Sequence, residues 1–180
     1  MCKIYNRTLL YAAKAHHGQM FPGTELPYVV HVAMVSNEVI FAHQEEAIEN
    51  VDIVLQIALL HDVLEDTSTT VRELSLHFEQ AVVDGVTLLS KKYEGRRFSF
   101  VEYIDRLKGA DKGVALIKLC DRITNLQRPP EFWKAEKKST YLQESKIILD
   151  ALGYSHSYAA RRLALRIEDY RQYLDSHEDI

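Results

Sequence analysis

The chain has 180 residues, of which 47% are hydrophobic and 27% charged, with a formal net charge of −4. That is ordinary composition for one globular domain with a core of useful size. It gives no global positive footprint for gripping a nucleic-acid polymer or an anionic membrane, although a local basic pocket for a small phosphorylated ligand stays open.

Two cysteines, Cys2 and Cys120, exclude a disulfide scaffold. The opening MCKIYNRTLLYAAKAHHG lacks the apolar region of a signal peptide, and no apolar run reaches membrane-spanning length. The expectation is a cytoplasmic protein.

Taken in order, Tyr5, Leu9, Ala12, Ala13 and His16 form one helical stripe that Gly18 ends. Pro22-Gly23 signals a turn, and Pro27 reads as the first residue of a second helix carrying His31. His31 fits either a satisfied core histidine or a ligand. A third helix, about Ala47 to Leu64, is apolar through Ile53, Val54, Leu55, Ile57, Ala58, Leu59 and Leu60, then runs into His61, Asp62, Glu65 and Asp66. Thr70 and Glu73, and later Ser99 and Glu102, have capping-box spacing and open further helices. Between them lie a helix over Glu79–Ser90 and a basic connection, Lys91 to Arg97. That connection reads as a solvated loop or as a source of forked donors, Arg96 and Arg97, for phosphate.

Val114 to Leu126 places Asp121 among Leu116, Ile117, Leu119, Cys120 and Ile123. Lys118, Asp121 and Asn125 share a face, so they address one ligand or form a plain Lys118–Asp121 pair. Pro129-Pro130 stops this helix, and two more follow, about Phe132–Leu152 and Ser155–Leu174. The last has a core stripe, and its Arg161, Arg162 and Arg166 read as a solvated face. No period-two run is bounded by hairpin turns. The fold class is therefore all-α, a single domain over 1–180, with a core over about 5–152 and a packing helix over about 155–174.

His31, His61-Asp62 and Asp121 come from three helices, each in an apolar neighbourhood. Buried unpaired carboxylates cost several kcal/mol of hydration each. The cluster is read either as a solvated helix end whose acids mark the surface or as a site for a divalent cation, which four such side chains at core-facing positions favour. Mixed nitrogen and oxygen donors with open positions suit Mn²⁺ or Fe²⁺, or another divalent ion, better than a closed structural zinc site.

The split pattern His31 … His61-Asp62 … Asp121 resembles the HD superfamily of metal-dependent phosphohydrolases. More narrowly, AAKAHHGQ, PYVVH, ALLHDVLEDT and IKLCDRITNL resemble the hydrolase domain of RelA/SpoT proteins. The likeness spans Tyr5 to about Tyr141 and shows no synthetase region, so the chain looks like a stand-alone small alarmone hydrolase with an HD-type helical bundle. The resemblance implies Mn²⁺ on His31, His61, Asp62 and Asp121, and removal of the 3′-pyrophosphate of (p)ppGpp as intact pyrophosphate. It gives Glu65 and Asp66 the attacking water, with neighbouring like charges raising their pKa values. It gives Asn125 a sugar or phosphate contact, with Lys118 on the same face, and it carries over Arg97 and Tyr141 as substrate-binding residues.

There are departures. Met20 and Phe21 follow Gln19 where the family commonly has a basic residue, so the base choice stays open between guanine and adenine, (p)ppGpp and/or (p)ppApp. Cys120 stands beside a ligand where a small alanine is usual, which predicts oxidation sensitivity. The competing readings are an HD-type nucleotidase or phosphatase acting on NADPH or a nucleoside monophosphate, and a non-catalytic nucleotide-binding regulator. Oligomeric state is not legible in the sequence.

Overall fold

The computed structural model describes residues 2–174, apart from the side chain of Cys2. Residues 1 and 175–180 of the domain expected over 1–180 lie outside the described residues. The helices are α1 (Cys2–Ala15), α2 (Val29–Glu45), α3 (Val51–Leu60), α4 (Val63–Asp66), α5 (Val71–His77), α6 (Gln80–Leu89), α7 (Phe100–Lys108), α8 (Lys112–Asn125), α9 (Ala135–Leu152) and α10 (Ser157–Tyr170). The all-α expectation holds. No helix among the described residues is long and apolar enough to cross a membrane.

The centre of the bundle is α3. From Val54 to Leu60 every residue is buried, Gln56 included, as befits a helix that is apolar on all sides and must be wrapped by others. Helices α1, α2, α6 and α8 pack around it, and α8 packs in turn against α9 and α10. Two glycines set the close approaches. A Cβ on Gly85 of α6 would lie 2.5 Å from Ile57 Cδ1, and one on Gly113 of α8 would lie 2.6 Å from Val54 Cγ2.

Both expected capping boxes are present. Thr70 Oγ1 accepts from the Glu73 N–H while Glu73 Oε2 accepts from the Thr70 N–H, and Ser99 and Glu102 repeat the arrangement. Four details differ from the sequence reading. The expected helix over Ala47–Leu64 starts only at Val51 and breaks after Leu60, with Asp62 at φ −103°, ψ −3° ahead of α4. Pro27 does not open α2 but lies two residues before it, its backbone bridged to Met20.

Lys91–Arg97 is not a plain loop. Strands β1 (Lys92–Tyr93) and β2 (Arg96–Arg97) pair antiparallel, Lys92 opposite Arg97 and Tyr93 opposite Arg96. Both turn residues, Glu94 (φ 46°) and Gly95 (φ 78°), have the positive φ that a tight two-residue hairpin needs. Nor is Arg162 part of a merely solvated face. Its guanidinium grips the Glu38 carboxylate of α2 through Nε at 3.2 Å and through Nη2, tying α10 to α2.

Candidate metal centre and active site

Four side chains expected to meet do so at the inner end of α3. His31 comes from α2, His61 and Asp62 from the α3–α4 break, and Asp121 from α8. His31 and His61 are buried, with 1% and 4% of their surface exposed. Nε2 of His31 lies 3.4 Å from Asp121 Oδ1 and 3.5 Å from Asp62 Oδ2, while Nε2 of His61 lies 2.9 Å from Asp62 Oδ2 and 3.7 Å from Asp121 Oδ1. Ligand atoms of His31, His61 and Asp121 all fall within 4.8 Å of one another.

Hydrogen bonding selects the donor atoms. His61 Nδ1 lies 2.8 Å from the Ala58 carbonyl, an acceptor, so Nδ1 carries the proton and Nε2 presents its lone pair. Neither His61 Nε2 nor either nitrogen of His31 has a properly directed hydrogen-bond partner, although all are buried. Such orphaned atoms are rare and costly. A cation between them would satisfy both imidazoles and neutralise two carboxylates, so the residues present fit a divalent metal.

Without a cation, burial disfavours every charge in the cluster, yet mutual attraction prevails. Asp62 and Asp121 outweigh the burial of His61 and push its imidazole up to about 10. Lys118 and the two imidazoles hold Asp121 well below the usual carboxylate range against its burial, and the imidazoles do the same for Asp62.

Asp121 is clamped from both sides. Lys118 Nζ donates to its Oδ2 and Asn125 Nδ2 to its Oδ1, each at 2.6 Å. The two residues expected to reach a substrate thus share the job of orienting a carboxylate. Glu65 and Asp66 stand on α4, just beyond. Glu65 Oε2 accepts the Lys91 N–H at 2.7 Å, which fixes that carboxylate. Burial is the leading reason both carboxyls titrate above their ordinary values, with the charge of Asp62 next among the raising causes. The like-charge cause read from the sequence is therefore the smaller one.

The remaining expected residues lie around this centre. Arg97 is exposed on β2, in a cleft shared with Glu65 and Lys92. Tyr141 of α9 lines a cavity of about 740 Å³ together with Phe21, Asn125, Arg128 and Trp133. The Phe21 ring stacks beside His31, their centroids 5.4 Å apart. Cys120 is fully buried, and burial pushes its thiol well up. A buried thiol in such surroundings is inert, which runs against the expected oxidation sensitivity.

Two residues at the site escaped the sequence reading. Arg122 is buried with its guanidinium 4.0 Å from the Tyr141 ring centroid, and it donates to the Tyr141 carbonyl and to Ser145 Oγ. It follows Asp121 within the same apolar stretch, Leu119-Cys120 on one side and Ile123 on the other, and that was the available signal. The other is Tyr28, whose hydroxyl donates to Asp62 Oδ2 at 2.5 Å.

No family model matches the chain. It is 32% identical over 154 residues to the human guanosine-3′,5′-bis(diphosphate) 3′-pyrophosphohydrolase MESH1, covering 79% of this chain and 80% of that protein. It is 30% identical over 165 residues to the Xenopus tropicalis MESH1, covering 85% and 87%. A guanosine-3′,5′-bis(diphosphate) 3′-pyrophosphohydrolase of Vibrio cholerae is 38% identical over 123 residues, but the chain spans only 16% of that longer protein. A solved structure, described as a metazoan ortholog of SpoT that hydrolyses ppGpp and plays a role in starvation responses, matches with a TM-score of 0.80. Its identity is 27%, and the match covers 95% of this chain and 97% of that one.

The helical bundle is that of an HD-type hydrolase, a hydrolytic enzyme. More narrowly, the chain belongs to the family of small guanosine-3′,5′-bis(diphosphate) 3′-pyrophosphohydrolases of the MESH1 type.

Proposed function

We propose that the chain hydrolyses the 3′-pyrophosphate of alarmone nucleotides, (p)ppGpp or (p)ppApp, in the presence of Mn²⁺, releasing pyrophosphate and the 5′-nucleotide. The observation that carries this reading is the position of α4. It sets two carboxylates of raised pKa, Glu65 and Asp66, directly after a cluster suited to a divalent cation. His31, His61, Asp62 and Asp121 would hold the ion, with Fe²⁺ or another divalent metal as a substitute. When bound it would supply Lewis acidity, drawing charge from the phosphoryl oxygens.

The chain's own groups do the rest. Glu65 keeps Oε2 on the Lys91 N–H, which leaves Oε1 to take a proton from the attacking water. A carboxylate of raised pKa is the stronger base for that step. Water attacks phosphorus as the bond from phosphorus to the ribose 3′-oxygen breaks. That oxygen leaves as the hydroxyl with a proton taken from solvent, and Glu65 returns its own proton to solvent to close the cycle. Asp66 orients the same water. Asn125 and Tyr141 face the substrate from the wall of the 740 Å³ cavity, and Lys118 adds a positive charge behind Asp121. Arg97 reaches phosphate oxygens from the cleft at Glu65. Phe21 offers a purine an apolar face without reading its edge, and so both bases are proposed.

The test is incubation with Mn²⁺ and a panel of ppGpp, ppApp, NADPH and nucleoside monophosphates, with identification of products. Pyrophosphate with GDP or an adenine counterpart supports the proposal. Orthophosphate from NADPH or a monophosphate moves the chain to another HD-type activity, and binding without turnover makes it a regulator.

A further inference from the structure

Asp62 occupies an unusual place. It lies between α3 and α4, and its side chain is 20% exposed, more open than His31, His61 or Asp121. Asp121 has two side-chain donors, Lys118 and Asn125, one on each oxygen. For Asp62, the hydrogen bond from a neutral side chain comes from Tyr28, to Oδ2 at 2.5 Å. That same oxygen is the one nearest both imidazoles, 2.9 Å from His61 Nε2 and 3.5 Å from His31 Nε2.

Tyr28 is itself held firmly. It is 7% exposed, and its N–H donates to the Gln19 carbonyl at 2.9 Å. Its ring lies between His16 and His31, with centroids at 4.7 and 5.2 Å. The hydroxyl is thus delivered to Asp62 from a fixed ring, at the end of the segment that links α1 to α2.

We infer that Tyr28 is a positioning residue for the cation, aiming the Asp62 carboxylate at the space between His31 and His61. A carboxylate oxygen offers two lone-pair directions. With one direction taken by the phenol, the other is left pointing towards the imidazoles, where it becomes a metal donor. The inference rests on the metal centre proposed above, and it assigns to Tyr28 no contact with substrate. Outer hydrogen bonds of this kind are worth on the order of 10–100-fold in metal affinity.

Tyr28→Phe removes the hydroxyl and keeps the packed ring. Mn²⁺ binding is read without any substrate, from the free-ion signal in electron paramagnetic resonance, with circular dichroism and Tm as checks on the fold. The expected result is an Mn²⁺ dissociation constant raised on the order of 10–100-fold at unchanged secondary structure. In an Asp62→Asn background the same change should add little, because the two groups act through one bond. Wild-type affinity in Tyr28→Phe, or an equal loss in both backgrounds, overturns the inference and leaves the metal centre standing. Failure of the wild-type chain to take up Mn²⁺ overturns the metal centre and the inference together.

Discussion

Glu65 and Asp66 differ in what surrounds them, and that difference sets their expected roles. Glu65 is half-buried and held by the Lys91 N–H, whereas Asp66 stands more open to solvent, with only part of its carboxyl desolvated. Glu65→Gln removes the proton acceptor and keeps the shape, so kcat should fall on the order of 10²–10⁴-fold, the usual worth of a general base. Mn²⁺ binding should be unchanged, since neither residue sits among the proposed ligands. A variant that turns over normally would take Glu65 out of the proposed mechanism. At this scale the sequence was legible where chemistry and helical spacing coincide: an acid or histidine at a core-facing position of an apolar helix stands out. Arg122 and Tyr28 did not stand out. A long or amphipathic side chain at such a position is compatible with many partners, and only the tertiary arrangement names the one it has.

The short helices α5 and α7 depend on their caps more than on their length. Isolated helices of 7 and 9 residues are too short to persist on propensity alone, so the two capping boxes matter. Hydrogen bonds to Thr70 and Ser99 lower the pKa values of Glu73 and Glu102 below the ordinary 4.5. A carboxyl depressed on folding gives stability that is fully present above its unfolded pKa and is lost as pH falls through its folded one. Stability should therefore drop as pH is lowered from about 5 through the carboxylate range. Replacing both glutamates by glutamine should flatten that part of a Tm-versus-pH curve while lowering Tm at neutral pH. A curve that kept its full acid slope would show that the boxes contribute nothing to it. These boxes were readable because four residues carry the whole signal. The hairpin at 92–97 was not, because each strand is two residues long and Glu94, not asparagine or glycine, takes the first positive φ. The break at His61-Asp62 was equally silent, since no glycine or proline marks it.

Across the whole molecule, the proposed ligands tie together helices far apart along the chain. His31 and Asp121 are separated by ninety positions (121 − 31), and α2, α3 and α8 already pack on one another through the buried core. A cation that binds this folded cluster and not the unfolded chain adds stability by mass action, about 2.7 kcal/mol when its concentration is one hundred times Kd. For a domain of this size each kcal/mol moves Tm by about 2–4 °C, so saturating Mn²⁺ should raise Tm by roughly 5–10 °C. A chelator should reverse the shift. His31→Ala should abolish it, because that variant removes the ligand contributed by α2. Differential scanning calorimetry over a range of Mn²⁺ concentrations reads all three. A Tm indifferent to the ion, or a shift that survives His31→Ala, would mean that the cation does not sit where the three helices converge, and the chemistry assigned to that point would have to be moved elsewhere in the fold.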